Sequence, residues 1–192
     1  MKREPGDSAV HLVLPALDGK LFDTGSLAGR PWMLSFYRFA SCPFCNLRMH
    51  ELVTRHNELP DDFAIVAVFD SPLDNLQRHA DKHHAPFAVL ADEHNRYYRK
   101  YGIEHSIPGL LKGMVLRMPR LLYGMFAKGY LPLTIKGSMT TMPADFLIDE
   151  QGIIRLSHYG RDEGDHLPFE QIREFATQPG PAEQAGSRTE TV

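Results

Sequence analysis

The chain has 192 residues, 43% hydrophobic and 10% aromatic, with a formal net charge of −3 from 21 basic and 24 acidic residues. That size suits one domain with a substantial core, and the composition is that of a globular protein rather than a disordered or fibrous one. So even a charge balance supplies no global field to gather nucleic acid.

The start, Met1 to Ser8, is polar and lacks the apolar stretch of a signal peptide, and no window is long and apolar enough to span a bilayer. A cytoplasmic location is the resulting expectation. After that lead, Val10–Pro15 reads as a strand and Asp18-Gly19 as a turn before Leu21 and Phe22. Trp32–Tyr37 is a mostly apolar run of strand length, the pattern of a central strand covered on both faces. Pro43–Leu59 has a helical pattern, with Leu47, Glu51 and Arg55 spaced by fours, and Pro60-Asp-Asp ends it. Phe63–Phe69, unbroken in apolar character, suits the middle of a parallel sheet. Asp70-Ser-Pro72 then reads as the cap and first turn of a helix reaching about His84.

Pro86–Leu90 predicts a short strand and Glu93–Tyr101 a helix stopped at Gly102. Asp145–Ile148 and Ile153–Leu156 read as a hairpin, and Pro168–Ala176 as a closing helix. Alternating strands and helices followed by a hairpin predict an α/β sandwich, a mixed sheet with helices on both faces. The tail 179–192, rich in Pro, Gly, Ser, Thr and Glu, is expected to be flexible.

The only two cysteines lie in Ser41-Cys42-Pro43-Phe44-Cys45, too close together to staple distant parts of a fold. The motif stands where a buried strand gives way to a helix, so Cys42 falls at the helix N-terminus. Unpaired N–H groups and the macrodipole favour a thiolate there, and such settings lower a cysteine pKa from about 8.5 to roughly 3.5–7.5. Cys45 lies on the same side of the first turn, where it can attack a mixed disulfide or a sulfenic acid on Cys42. Cys42 is therefore the expected nucleophile, nearer solvent, and Cys45 the more shielded resolving thiol. Pro43 suits the first helical position, and Phe44 is expected to shield the pair. Two buried structural cysteines are the competing reading, disfavoured by the strand-to-helix setting. A zinc site needs about four ligands, and no second ligand pair has the usual spacing, so neither a metal nor a cofactor is expected.

The run Phe36-Tyr-Arg-Phe-Ala-Ser-Cys-Pro-Phe-Cys-Asn-Leu47 resembles the redox motif of the alkyl hydroperoxide reductase/thiol-specific antioxidant family, in particular its peroxiredoxin-like members with Cys-Pro-aromatic-Cys. Asp18-Gly19, Phe63–Phe69, Leu90-Ala-Asp92, Tyr101-Gly-Ile103 and Phe146–Ile153 follow in the family's order, extending the likeness over residues 7–178. The resemblance implies a thioredoxin-like domain over 7–178. It also implies a thiol-dependent antioxidant enzyme that cycles between the Cys42/Cys45 dithiol and an intramolecular disulfide. The substrate would be a hydroperoxide or a disulfide, and the electron donor thioredoxin, glutaredoxin or glutathione. Pro143, after Met142, takes the place of the proline that faces the redox pair and is commonly cis in thioredoxin-like proteins; a trans proline opening the strand is the alternative.

One position departs from the family pattern. Peroxiredoxins proper carry Thr or Ser three residues before the peroxidatic cysteine, and Phe39 stands there in this chain. Arg38 and Ser41 are then the candidates for stabilising the thiolate or positioning substrate. A thiol-disulfide oxidoreductase without peroxide specificity is the alternative function, and a non-enzymatic redox-sensitive binding module a third.

From Ser106 to Met142 no acidic residue occurs, while Lys112, Arg117, Arg120, Lys128 and Lys136 stand among Leu, Met, Tyr and Phe. The stretch 106–140 reads as an insertion before the Pro143 strand, helical from Leu110 to about Lys128. A lid over Cys42, a homodimer surface and a membrane-surface helix compete there with a packed insertion carrying a solvated basic face. His79 and His83, with His84 and His94 nearby, read as solvated helix residues rather than metal ligands. Arg155, His158, Arg161 and His166 read mostly as surface charges, with the return of one arginine towards the thiolate left open.

Overall fold

The computed structural model describes residues 1–132 and 135–178, so the tail expected to be flexible lies outside the described residues. Five strands form the central sheet: β3 (Trp32–Tyr37), β4 (Ala64–Phe69), β5 (Ala88–Ala91), β6 (Ala144–Ile148) and β7 (Ile154–Tyr159), in the order β5-β4-β3-β6-β7. The strands β3, β4 and β5 are parallel, whereas β6 and β7 run antiparallel, which makes the sheet mixed. A separate ribbon of β1 (Val13–Pro15) and β2 (Leu21–Asp23) precedes it.

Alternation along β3 divides the core. Trp32, Leu34 and Phe36 face a cluster with Val66, Val68, Phe146 and the tyrosines of α3 (Arg96–Lys100). Met33 and Tyr37 face the other side, where α1 (Pro43–Thr54), α2 (Leu73–Ala80) and, at the end of the chain, α6 (Phe169–Thr177) lie. Both faces of β3 are thus covered, as its mostly apolar run requires. Between α3 and β6 the chain makes the expected helical excursion: α4 (Ile107–Leu116), α5 (Met118–Leu122) and a wider π turn over Tyr123–Ala127.

Several boundaries differ from expectation: β1 starts at Val13 rather than Val10, α2 stops at Ala80 rather than about His84, and α3 spans Arg96–Lys100 rather than Glu93–Tyr101. Helix α1 stops at Thr54 rather than Leu59, because the Thr54 hydroxyl donates back to the carbonyl of His50 and the chain tightens into a 3₁₀ turn over His56–Glu58. Asp70 does not cap α2, which begins at Leu73 after Pro72. Its carboxylate instead accepts from the Ser138 N–H at 3.0 Å and the Thr141 hydroxyl at 2.9 Å, tying down the segment that leads into β6.

Candidate active site

Strand β3 delivers the chain to a buried loop, Arg38 to Ser41, and Cys42 becomes the N-cap of α1 with Pro43 at the first helical position. Asn46 fastens this turn. Its Nδ2 donates to the carbonyls of Ala40 at 2.9 Å and Cys42 at 2.8 Å, while its Oδ1 accepts from His83 Nε2 at 2.8 Å. His83 is therefore a buried, neutral donor, its pKa brought down to about 4 by burial and by the charge of Lys82. This corrects its reading as a solvated residue. Among the described residues no group of three or more His, Cys, Asp or Glu could hold a metal ion.

Both cysteines are free thiols and both are buried, with Cys42 1% and Cys45 0% exposed. The expectation that Cys42 stands nearer solvent is thus corrected, and the physical reason is the excursion. Leu121 packs on the cysteine cluster, and Gly124 lies so close that a Cβ there would sit 3.1 Å from Leu47 and 3.6 Å from Pro43. Phe44, itself buried, packs against Gly164.

Burial alone would raise both thiols, yet they diverge. For Cys42 burial is outweighed by the hydrogen bond from Cys45, the charge of Arg38 and the N–H groups of Cys45 and Phe44, which together bring its pKa down to about 7. Burial, joined by the hydrogen bond and charge of Cys42, pushes Cys45 well above the ordinary thiol range. Arg38 Nη1 stands 3.7 Å from Cys42 Sγ, and its Nη2 donates to the Met139 carbonyl. The arrangement can hold one thiolate beside one protonated thiol.

The sequence profile of the AhpC/TSA family matches residues 5–157. The chain belongs to this family. Membership of the AhpC/TSA family makes the protein a thiol oxidoreductase, and solved structures agree on the fold. Peroxidoxin BcpB from Mycobacterium tuberculosis is 14% identical, with 92% of this chain and 99% of that one covered at a TM-score of 0.66. A thiol peroxidase from Chromobacterium violaceum is 15% identical, with coverages of 98% and 90% and a TM-score of 0.62. A thiol:disulfide interchange protein of the thioredoxin family from Chlorobium tepidum is 20% identical, with coverages of 92% and 99% and a TM-score of 0.52. No curated protein matches the chain.

Of the other candidate site residues, Ser41 is buried beside Cys42. Pro143 is buried one residue before β6, just past the Phe36–Ala144 pair at the end of β3 that leads to the motif, and its bond to Met142 is trans. It is thus the strand-opening proline rather than the cis one. The guanidinium that faces Cys42 is Arg38's, whereas Arg155 pairs with Asp149 at 2.5 Å.

Three buried groups escaped the sequence reading. Asp145 on β6 accepts from Ser35 Oγ at 2.5 Å, from the Leu167 N–H at 2.7 Å and from His166 Nδ1 at 3.1 Å. Burial works against its charge, but His166, Arg48 and Ser35 hold its carboxyl far below the usual range. The His166 side chain is accordingly buried, on a half-buried residue rather than a surface charge, and its ring lies 5.0 Å from that of Tyr37. Glu163 is the third. Its carboxylate lies against α4 where a Cβ on Gly113 would fall 1.8 Å away, and neither oxygen finds a hydrogen-bond partner among the described residues.

Proposed function

We propose that the protein is a peroxiredoxin-like peroxidase that works through Cys42 and Cys45. The Cys42 thiolate attacks a hydroperoxide oxygen; an S–O bond forms, the O–O bond breaks, and the alkoxide leaves as alcohol after taking a proton. Cys45 then attacks Cys42 Sγ. The S–S bond forms, the S–O bond breaks, and hydroxide departs as water with the Cys45 proton. Two electrons from a thiol donor, thioredoxin, glutaredoxin or glutathione, restore the pair.

The observation that carries this reading is the split in acidity: Cys42 near pKa 7 beside Arg38, Cys45 held protonated until it is needed. Arg38 and Ser41 would flank the reacting oxygen, and Pro143 would bound the site. A second reading, disulfide exchange without peroxide specificity, is favoured by buried Phe39, which offers no hydroxyl three residues before Cys42.

Stopped-flow mixing of reduced protein with hydrogen peroxide and an organic hydroperoxide, set against a small disulfide, separates the two. Faster reaction with peroxide is expected, yielding a product lighter by two hydrogens with both sulfurs in one peptide. Cys45→Ser should halt at the sulfenic acid and Cys42→Ser should not react. Reaction with the disulfide alone would move the function to exchange, and exclusively intermolecular disulfides would sink the mechanism.

A further inference from the structure

Amphipathic helices of a folded protein turn their large apolar residues inward. Half-buried Leu110, Leu121 and Met125 aside, the excursion does the reverse. Gly109, Gly113 and Gly124 are the close contacts to Arg161, Glu163 and Leu47 beneath it, whereas Ile107, Leu111 and Val115 on α4 are 64%, 60% and 72% exposed. Their spacing by fours makes one outer stripe. Met118, Leu122 and Phe126 repeat that spacing along α5 and the π turn, with Phe126 77% exposed. Outside residues 107–139 the only large apolar side chains exposed among the described residues are Met1 and Leu21. A packed insertion with a solvated basic face accounts for the lysines and arginines but not for these stripes.

Charge is segregated in the same place. The stretch 106–142 carries five basic and no acidic residues, which leaves −8 on the remainder of a chain whose net charge is −3. Arg117 and Lys136 are paired with Asp162 and Asp74, but Lys112 and Arg120 are exposed and form no ion pair among the described residues. Exposed apolar stripes with unpaired cations beside them match the chemistry of an anionic bilayer surface, where apolar side chains enter the acyl boundary and cations meet the headgroups. No helix among the described residues is long and apolar enough to cross a membrane, so the contact would be interfacial.

We propose that the outer face of residues 107–127 docks this protein on an anionic phospholipid bilayer. A second copy is the weaker occupant, because a two-fold contact sets a patch against itself and would oppose the basic residues of one copy to those of the other. The docking does not depend on which substrate Cys42 takes.

The test is cosedimentation of the full chain with vesicles of phosphatidylcholine and phosphatidylglycerol in equal parts, against phosphatidylcholine alone. Binding is expected only to the anionic vesicles and should weaken as salt is raised. Leu111→Glu with Phe126→Glu should lower the bound fraction about tenfold or more, and Lys112→Gln with Arg120→Gln about tenfold. These side chains are exposed, so far-UV circular dichroism and the Cys42 alkylation rate without vesicles should stay as in the wild type. Absence of binding, equal binding to neutral vesicles, or binding indifferent to both double variants would overturn the proposal. So would a dimer in sedimentation equilibrium that Phe126→Glu abolishes, which would give the face to a second copy.

Discussion

Helix α1 and the excursion from Ile107 to Ala127 meet close to the motif, yet they present opposite faces to the protein. Helix α1 buries Phe44, Met49 and Leu52, whereas the excursion buries glycines and leaves Leu111, Val115 and Phe126 outside. The first is held by the area it removes from water, at about 25 cal/mol per Å². The second is held by fewer contacts: Leu121 on the cysteine cluster, Gly124 close to Leu47 and Pro43, and Arg117 on Asp162. An element held in this way opens locally at a lower free energy than the core. Leu121 of the excursion packs on the cluster that contains Cys42, so local opening there is expected to raise access to the thiol.

The largest expected effect tests that contrast directly. Phe146 is fully buried, with ring contacts to Phe36, Tyr101 and Tyr159, and Phe146→Ala should cost about 3–5 kcal/mol in urea unfolding. Phe126→Ala, of identical chemistry but exposed, should stay within about 0.5 kcal/mol of wild type. Comparable losses at the two sites would mean that Phe126 is part of a core after all.

Much of the scaffold was legible in the sequence, since largely apolar runs such as Trp32–Tyr37 and Ala64–Phe69 have few alternatives to a covered strand. Cys42 at the helix start followed from the change of strand to helix pattern at the motif, with Pro43 suited to the first helical position. The buried polar partners were less accessible. Asn46 and His83 are 37 residues apart, and Asp145 and His166 are 21 apart, so only tertiary packing brings them together. One signal was present, because an aspartate within the apolar strand Ala144–Ile148 has to find donors or lose its charge. The acid-free basic stretch from Ser106 to Met142 was plain in the sequence despite a net charge of only −3, but the outward exposure of its apolar neighbours was not.

Arg38 joins the motif to the segment that leads into β6, touching Cys42 Sγ with one nitrogen and the Met139 carbonyl with another. Removing its charge should therefore weaken the thiolate. Because Cys42 is held at about 7 partly by Arg38, the midpoint of its alkylation rate against pH should move upward in Arg38→Met, towards the free-thiol value of about 8.5. At pH 7 alkylation should be about fivefold to tenfold slower if the midpoint rises by about one unit or slightly more. An unchanged midpoint with faster alkylation would show that Arg38 acts only as a tie to the Met139 segment.

The smallest effect separates these roles, because Glu163 feels the charge of Arg38 without touching either sulfur in a hydrogen bond. Burial raises its carboxyl, while Arg38 and Arg117 draw it the other way. When ionised it offsets part of the positive potential that favours the Cys42 thiolate. Glu163→Gln leaves that potential undiluted, so the alkylation midpoint should fall by a few tenths of a unit, on the order of 0.5 kcal/mol. The sign is opposite to that of Arg38→Met. The difference should also close in acid, as pH drops through the raised Glu163 pKa and the wild-type carboxyl becomes as neutral as the amide. A midpoint that rises, or a gap that persists in acid, would mean that Glu163 acts on Cys42 through the position of α4 at Gly113 rather than through its charge.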